Sequence, residues 1–283
     1  MLVYTTNTGL TAHINDQKKT GFSLGFVPTM GALHKGHLSL VKQALAANNL
    51  VVVSIFVNPT QFNNSNDLNK YPQNLTKDVE LLETLSKESI IVYAPTTEEI
   101  YGNQISADKF DFKGLELEME GRSRPGHFNG VGTVVKRLFE IILPNRAYFG
   151  EKDFQQLQII RKMVELTQLP VIIIGCSIER EFNGLAMSSR NSRLKTNEFD
   201  KSALIYKTLQ TVQTKFKNHS IQTIYEWVEN QFSNQPLFEL DYFQISEVES
   251  LTAIKKKSIK KTYRAFIAVF VRDVRLIDNI DLN

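Results

Sequence analysis

Val27-Pro28-Thr29-Met30-Gly31-Ala32-Leu33-His34-Lys35-Gly36-His37 joins two kinds of hydrophobic pattern. Upstream, residues 22–27 read as an apolar strand. Downstream, Leu38, Leu40, Val41, Ala44 and Leu45 recur at three- and four-residue spacing, which predicts a helix over residues 36–47. A strand running through a glycine-containing turn into a helix start is an anion site, because the first turn of a helix presents unpaired N–H groups and the positive end of its dipole. Two imidazoles three residues apart, His34 and His37, lie side by side on that turn and can donate to the same phosphates. The loop lacks the Gly-Lys-Ser/Thr of a Walker A loop and the spacing of a GxGxxG turn.

Working outward, the same alternation repeats. Strands are expected at 22–27, 50–57, 90–94, 147–149 and 171–175, with helices at 36–47, 77–87, 131–143 and 153–169. The strand runs are rich in Val and Ile without polar alternation, so they predict strands buried on both faces: an α/β fold with a Rossmann-like parallel sheet flanked by helices. Ligands in such sheets bind beyond the carboxyl ends of the strands, so the loops at 28–37, 58–62 and 150–153 are the informative ones. Past Gly175 the texture changes to long helical patterns at 197–217 and 221–232 and strand patterns at 240–245 and 265–271. This predicts two domains, residues 1–177 and a smaller α+β domain over 178–283.

Composition narrows the class. A chain of 283 residues that is 42% hydrophobic can bury a real core, and a net charge of +3 gives no push towards nucleic acid or membrane. The apolar runs are too short to span a bilayer, and the start Met1-Leu2-Val3-Tyr4-Thr5-Thr6 lacks the features of a signal peptide, so a cytoplasmic location is expected. The single Cys176 follows Val171-Ile172-Ile173-Ile174 and reads as a buried, inert thiol. Lys255-Lys256-Lys257-Ser258-Ile259-Lys260-Lys261 has no interleaved aromatics and reads as a solvated loop.

Four further strings carry chemistry. Asn58-Pro59-Thr60-Gln61-Phe62 ends a strand; Asn58 suits turn formation, while the Gln61 amide suits recognition of hydroxyls and carboxylates. Arg122-Ser123-Arg124-Pro125-Gly126-His127-Phe128 precedes a helix and offers Arg124 and His127 to an anion. Phe149-Gly150-Glu151-Lys152-Asp153-Phe154-Gln155-Gln156 turns on glycine; Asp153 is expected to cap the next helix, Lys152 to neutralise charge developing on a phosphate, and Gln156 to face the same side. Leu185-Ala186-Met187-Ser188-Ser189-Arg190-Asn191 lies where the two domains join and can close on a triphosphate through backbone N–H, hydroxyls and a guanidinium.

HxGH with a distant Met-Ser-Ser-Arg resembles the HIGH and KMSKS pair of the class I synthetase and nucleotidyltransferase superfamily. The fuller strings, in this order and across essentially the whole chain, resemble the pantoate–β-alanine ligase family. That resemblance implies ATP-dependent condensation of (R)-pantoate with β-alanine through a pantoyl adenylate, releasing pyrophosphate and then AMP. A nucleotidyltransferase acting on a phosphate acceptor is the alternative within the superfamily.

By the same resemblance, ATP would lie against Met30, Gly31, Ala32, Leu33, His34, Lys35, Gly36 and His37, with His37 as proton donor. Gly150, Glu151, Lys152 and Asp153 would contact ribose and phosphate, Glu179 the adenine side, and Met187, Ser188, Ser189 and Arg190 would close over the triphosphate. Gln61 and Gln156 would hold pantoate; Gln61, Tyr71, Arg124 and His127 would face β-alanine; Asp78 would serve Mg²⁺. A homodimer, with no nucleic-acid or membrane partner, is also implied. Asn183 stands where the family usually has Asp, and Gln73 where it often has Arg.

Overall fold

Strand and helix alternate through the first part of the chain, as its two-sided apolar runs require. β1 (Leu2–Tyr4) leads to α1 (Asn7–Lys18), β2 (Leu24–Thr29) to α2 (Lys35–Ala47), and β3 (Leu50–Ile55) past a 3₁₀ turn at Pro59–Gln61 towards α3 (Leu75–Glu83). β4 (Ile90–Tyr93) follows, then short helices at Thr97–Tyr101 and Met119–Ser123, α4 (His127–Ile142), β5 (Arg146–Gly150), α5 (Phe154–Thr167) and β6 (Ile172–Cys176). Beyond these come a 3₁₀ turn at Ser189–Arg193, a short helix at Thr196–Lys201, α6 (Ala203–Phe216), α7 (Ile221–Ser233), β7 (Phe238–Glu247), β8 (Tyr263–Val271) and β9 (Val274–Asp281). The computed structural model describes residues 1–18, 21–61 and 72–283, so Tyr71 and Phe62 lie outside the described residues.

The first six strands form a parallel sheet in the order β1-β4-β3-β2-β5-β6, and the last three an antiparallel sheet β7-β8-β9. Two-sided burial is what the Val- and Ile-rich runs required. Phe26, Val52, Ala147 and Phe149 sit in the core on one face of the parallel sheet. Val27, Val51, Val53, Val92 and Tyr148 sit in the core on the other. Cys176 lies in this second core as a free, buried thiol, pushed up to about 11 by burial and then by nearby Glu151. The antiparallel sheet packs its own core against α6 and α7.

The chain runs outward from β2 in both directions, through β3 and β4 on one side and through β5 and β6 on the other. The crevice between β2 and β5 is therefore the topological switch point, where ligands bind in open α/β sheets. Pro28 helps to open it. Leu24 accepts from Asn145 on the β5 side, so alternation turns residues 26 and 28 the same way, and Pro28 has no N–H to offer there. Pairing of β2 with β5 runs only through Gly25 and Phe26, whereas pairing with β3 continues to Thr29.

Several elements depart from expectation. The short edge strand β1 and helix α1 are additions to the expected set; α1 buries little beyond Leu10 and Ile14, so it shows no broad apolar stripe. The helix expected over 197–217 breaks at Ser202, whose N–H bonds back to Glu198 and Phe199 and ends the shorter piece. β9 is a further addition, because the buried polar pair Asp278 and Asn279 interrupts its apolar alternation. The lysine run is a loop between β7 and β8, with Lys257 reaching back to the carbonyls of Phe216 and His219.

Candidate active site

The two histidines of the β2–α2 loop cap the helix that follows them. His34 is the N-cap; its Nδ1 accepts from the Gly36 N–H at 3.1 Å, and its own N–H donates to Nδ1 of His37 at 3.3 Å. This is a capping box with imidazoles in place of Ser/Thr and Glu. An imidazole nitrogen that accepts carries no proton, so both neutral rings hold theirs on Nε2. Burial, then the nearby Lys152 cation, lowers His34 to about 4. Burial, then His34 and Lys152, lowers His37 to about 3. The rings, 4.1 Å apart between centroids, thus form a pair of neutral N–H donors.

The loop before them is held from α3. Buried Asp78 accepts from the N–H of Leu33 at 2.7 Å and of Ala32 at 3.0 Å. Gly31 (φ 84°) and Ala32 (φ 51°) both adopt left-handed backbone, and these two bonds fix that conformation. A Cβ on Gly31 would sit 2.9 Å from the Asp78 Oδ2. Asp78 therefore spends both carboxylate oxygens on the loop, and no group of three or more metal-ligating side chains stands anywhere among the described residues.

Across the switch point, β5 delivers Lys152 and Asp153 on a 3₁₀ turn at Glu151–Asp153. Lys152 Nζ lies 3.7 Å from the Asp153 carboxylate, and its charge reaches both imidazoles. Asp153 occupies the N-cap position of α5, but its side chain makes no capping bond, contrary to expectation. Instead its carboxylate remains exposed beside Lys152. Gln155 is buried and bonded to the Leu115 and Glu118 carbonyls and the Glu120 N–H, while Gln156 is half-buried on the first turn of α5.

Gln61 joins the loops on the other flank. Its carbonyl accepts from His127 Nδ1 at 2.8 Å, and its amide donates to Met30 Sδ and accepts from Asn58. Asn58 does more than form a turn: buried, it accepts from the Tyr101 hydroxyl and donates to the Gly130 carbonyl. Glycine is required at position 130, where a Cβ would come within 2.3 Å of the Thr60 carbonyl oxygen. His127, lowered by burial and donating through Nδ1, keeps Nε2 as an acceptor. Arg124 lies close enough to lower it further.

The connector after β6 folds back on the histidine loop. Met187 N–H donates to the Glu179 carbonyl, and the Met187 Cβ lies 3.4 Å from where a Cβ on Gly36 would stand. Ser188 accepts from the Arg190 N–H and starts the 3₁₀ turn, leaving Arg190 exposed. Asn183 accepts from the Leu185 N–H and donates to the Phe199 carbonyl, a bond that an Asp could not make.

Three expected strings therefore meet at the switch point: the histidine loop, Lys152–Asp153 and Met187. Gln61, Met30 and His127 meet on its flank. What sequence reasoning missed are Asp78 as loop anchor, Asn58 as hub, and the supporting Arg264 and Asn279. The spacing of His34 and His37, equal to that of N-cap and N3, was the available signal for the capping box.

A family model described as pantoate-beta-alanine ligase matches residues 2–281. A pantothenate synthetase of Flavobacterium psychrophilum is 54% identical over 275 residues, 97% of this chain and 96% of that one. The solved pantothenate synthetase of Thermus thermophilus is 37% identical with a TM-score of 0.90, covering 100% of this chain and 99% of the other. A pantoate-beta-alanine ligase of Francisella tularensis, complexed with beta-gamma ATP and beta-alanine, is 35% identical with a TM-score of 0.80, covering 100% and 98%.

Proposed function

Since this chain belongs to the pantoate–β-alanine ligase family, an ATP-dependent enzyme joining pantoate to β-alanine, we propose that the β2–β5 crevice is where it forms a pantoyl adenylate. The observation that carries this reading is the meeting of two neutral imidazoles and the Lys152 cation at the switch point. Lys152 lies near enough for its charge to lower both His34 and His37, and the two rings stand 4.1 Å apart.

In the first step a pantoate carboxylate oxygen attacks the α-phosphorus of ATP and pyrophosphate leaves. In the second the β-alanine amine attacks the acyl carbon, the amide forms, and AMP leaves. No covalent enzyme intermediate is required, so positioning and preorganised charge supply the catalysis. His34 and His37 donate through Nε2 to the triphosphate, and both rings are neutral at pH 7 before it binds. Lys152 stabilises charge that develops on the α-phosphate. Gln61 and Gln156 hold pantoate, Gln61 with Arg124 and His127 the β-alanine side, and residues 187–190 close over the phosphates. Glu179 and residues 30–33 border the nucleotide, and Tyr71 is assigned to β-alanine on resemblance alone.

Mg²⁺ fits as an ion held by substrate phosphates and water, the usual mode for this hard cation. Asp78 fits the role of loop anchor better than that of an inner ligand, because both its oxygens already accept backbone N–H groups. Residues 1–177 carry the substrates in this reading and residues 178–283 form the smaller domain. A cytoplasmic homodimer is part of the same reading, by likeness to the family; among the described residues no helix is long and apolar enough to cross a membrane.

The test is product analysis with ATP, Mg²⁺ and pantoate, with and without β-alanine. Sustained AMP release that requires β-alanine supports the ligase. AMP transfer to a phosphate acceptor, with no need for an amine, would replace it with the nucleotidyltransferase reading.

A further inference from the structure

The β5 loop that carries Lys152 is not held by its own sheet alone. Asn279 on β9 is buried, and its Nδ2 donates to the Glu151 carbonyl at 2.9 Å and to the Lys152 carbonyl at 3.0 Å. Its Oδ1 accepts from Arg264 Nη1 at 2.5 Å. Arg264, on β8, also reaches the Glu151 carboxylate at 3.2 Å, and its guanidinium lies over the Phe154 ring, 4.1 Å from the centroid. Every polar atom of the Asn279 side chain is thus committed, and the group that orients it is itself fixed by a ring and a carboxylate. In a trans peptide the carbonyl of one residue and the N–H of the next point opposite ways, so drawing the Glu151 carbonyl to β9 turns the Lys152 N–H away from β9.

Asn279 is one of three β9 side chains that grip the site. Arg275 forms a fork on Glu120 at 2.8 and 2.9 Å, one turn ahead of Arg124 and His127, with Tyr242 donating to the same carboxylate. Burial works to raise Glu120, but the Arg275 fork overcomes it and holds that carboxyl low. Asp278 takes a bidentate bond from Arg180 at 2.7 and 3.1 Å, and Arg180 also holds the Gly184 carbonyl just before residues 187–190.

We infer that β9 of the small sheet sets the placement of the catalytic loops, and that Asn279, oriented by Arg264, is the positioning residue for Lys152. Asn279 touches no reacting atom; it acts through the turn that aims the lysine. This inference rests on the role given to Lys152 above, and a misplacement of about 1 Å in such a group costs on the order of 10²-fold in rate.

A double-mutant comparison tests it. The steady-state rate of pyrophosphate release is measured with ATP, pantoate and β-alanine for wild type, Lys152→Ala, Asn279→Asp and the double variant, with thermal midpoints alongside. Asn279→Asp keeps the shape and the Arg264 contact while removing both N–H bonds to the loop. The expected result is a kcat roughly 10- to 100-fold lower for Asn279→Asp with KM for ATP and pantoate within about twofold, and a double variant no slower than Lys152→Ala alone. Multiplicative losses in the double variant, or wild-type kcat in folded Asn279→Asp, would overturn the positioning role. If Asn279→Asp does not fold, Arg264→Lys is read in its place by the same comparison. Wild-type turnover in Lys152→Ala would instead sink the catalytic reading on which this one stands.

Discussion

The backbone N–H of His34 donates to Nδ1 of His37, so the ring of the second histidine is oriented by the peptide of the first. Removing the His37 ring leaves the His34 N–H without its acceptor and opens one half of the capping box, while the Gly36 N–H still fixes the His34 tautomer. His37→Ala should therefore lower the adenylation rate by roughly 10²-fold and cost about 1 kcal/mol of stability from the lost cap, read by pyrophosphate release and by urea unfolding. Wild-type rates would exclude the donor role.

Lys152→Ala should lower the same rate by roughly 10²-fold or more, without the capping cost. The two imidazoles should then rise, because a depressing cation has gone. NMR titration of the ring protons checks this.

Acid should destabilise the protein through these rings. Folded, His34 and His37 stay neutral down to about 4 and about 3, whereas in the unfolded chain they protonate near the ordinary 6.5. Between those values unfolding takes up protons, so stability falls as pH drops from 6.5 towards 3. His37→Gln should make the fall in thermal midpoint over that window shallower; an unchanged slope would count against the buried neutral pair.

Gly130→Ala should destabilise the fold by about 1–3 kcal/mol, since its Cβ meets the Thr60 carbonyl 2.3 Å away. The turn that must yield carries Gln61, so the KM for pantoate should rise in the fraction that folds. Denaturant midpoints and initial rates separate the two effects.

Arg190→Ala should raise the KM for ATP with little change in stability, because the side chain is exposed. Asn183→Asp should do the reverse. It loses the bond to the Phe199 carbonyl and sets a carboxylate against it, costing about 1 kcal/mol.

The parallel sheet was legible because its strands are buried on both faces, and unbroken Val and Ile runs announce that directly. Strand ends drifted by a residue or two: β2 continues through Pro28 to Thr29, since pairing with β3 needs nothing from Pro28. The loops that meet at the crevice were legible as strings following strands. Asp78 was not legible in its actual role, because an acidic residue in the first turn of a helix looks like a charge complementing the helix dipole. β9 was hidden for a related reason. Asp278 and Asn279 are polar side chains buried by partners far away in sequence, and no local pattern reveals those partners.

The reach of β9 also dictates when the site can exist. Its bonds to Glu120, Glu151 and Arg180 join residues 155, 128 and 98 positions apart, and every one of those partners precedes it in the chain. On the ribosome Glu120, the lysine turn and Arg180 all emerge before the strand that grips them. Contacts of such separation form late in folding. The strands of the parallel sheet can pair before β9 exists, yet the Lys152 turn gains its two bonds from Asn279 only once residue 279 has cleared the exit tunnel. Full support of the lysine turn is in this sense the last thing that synthesis supplies.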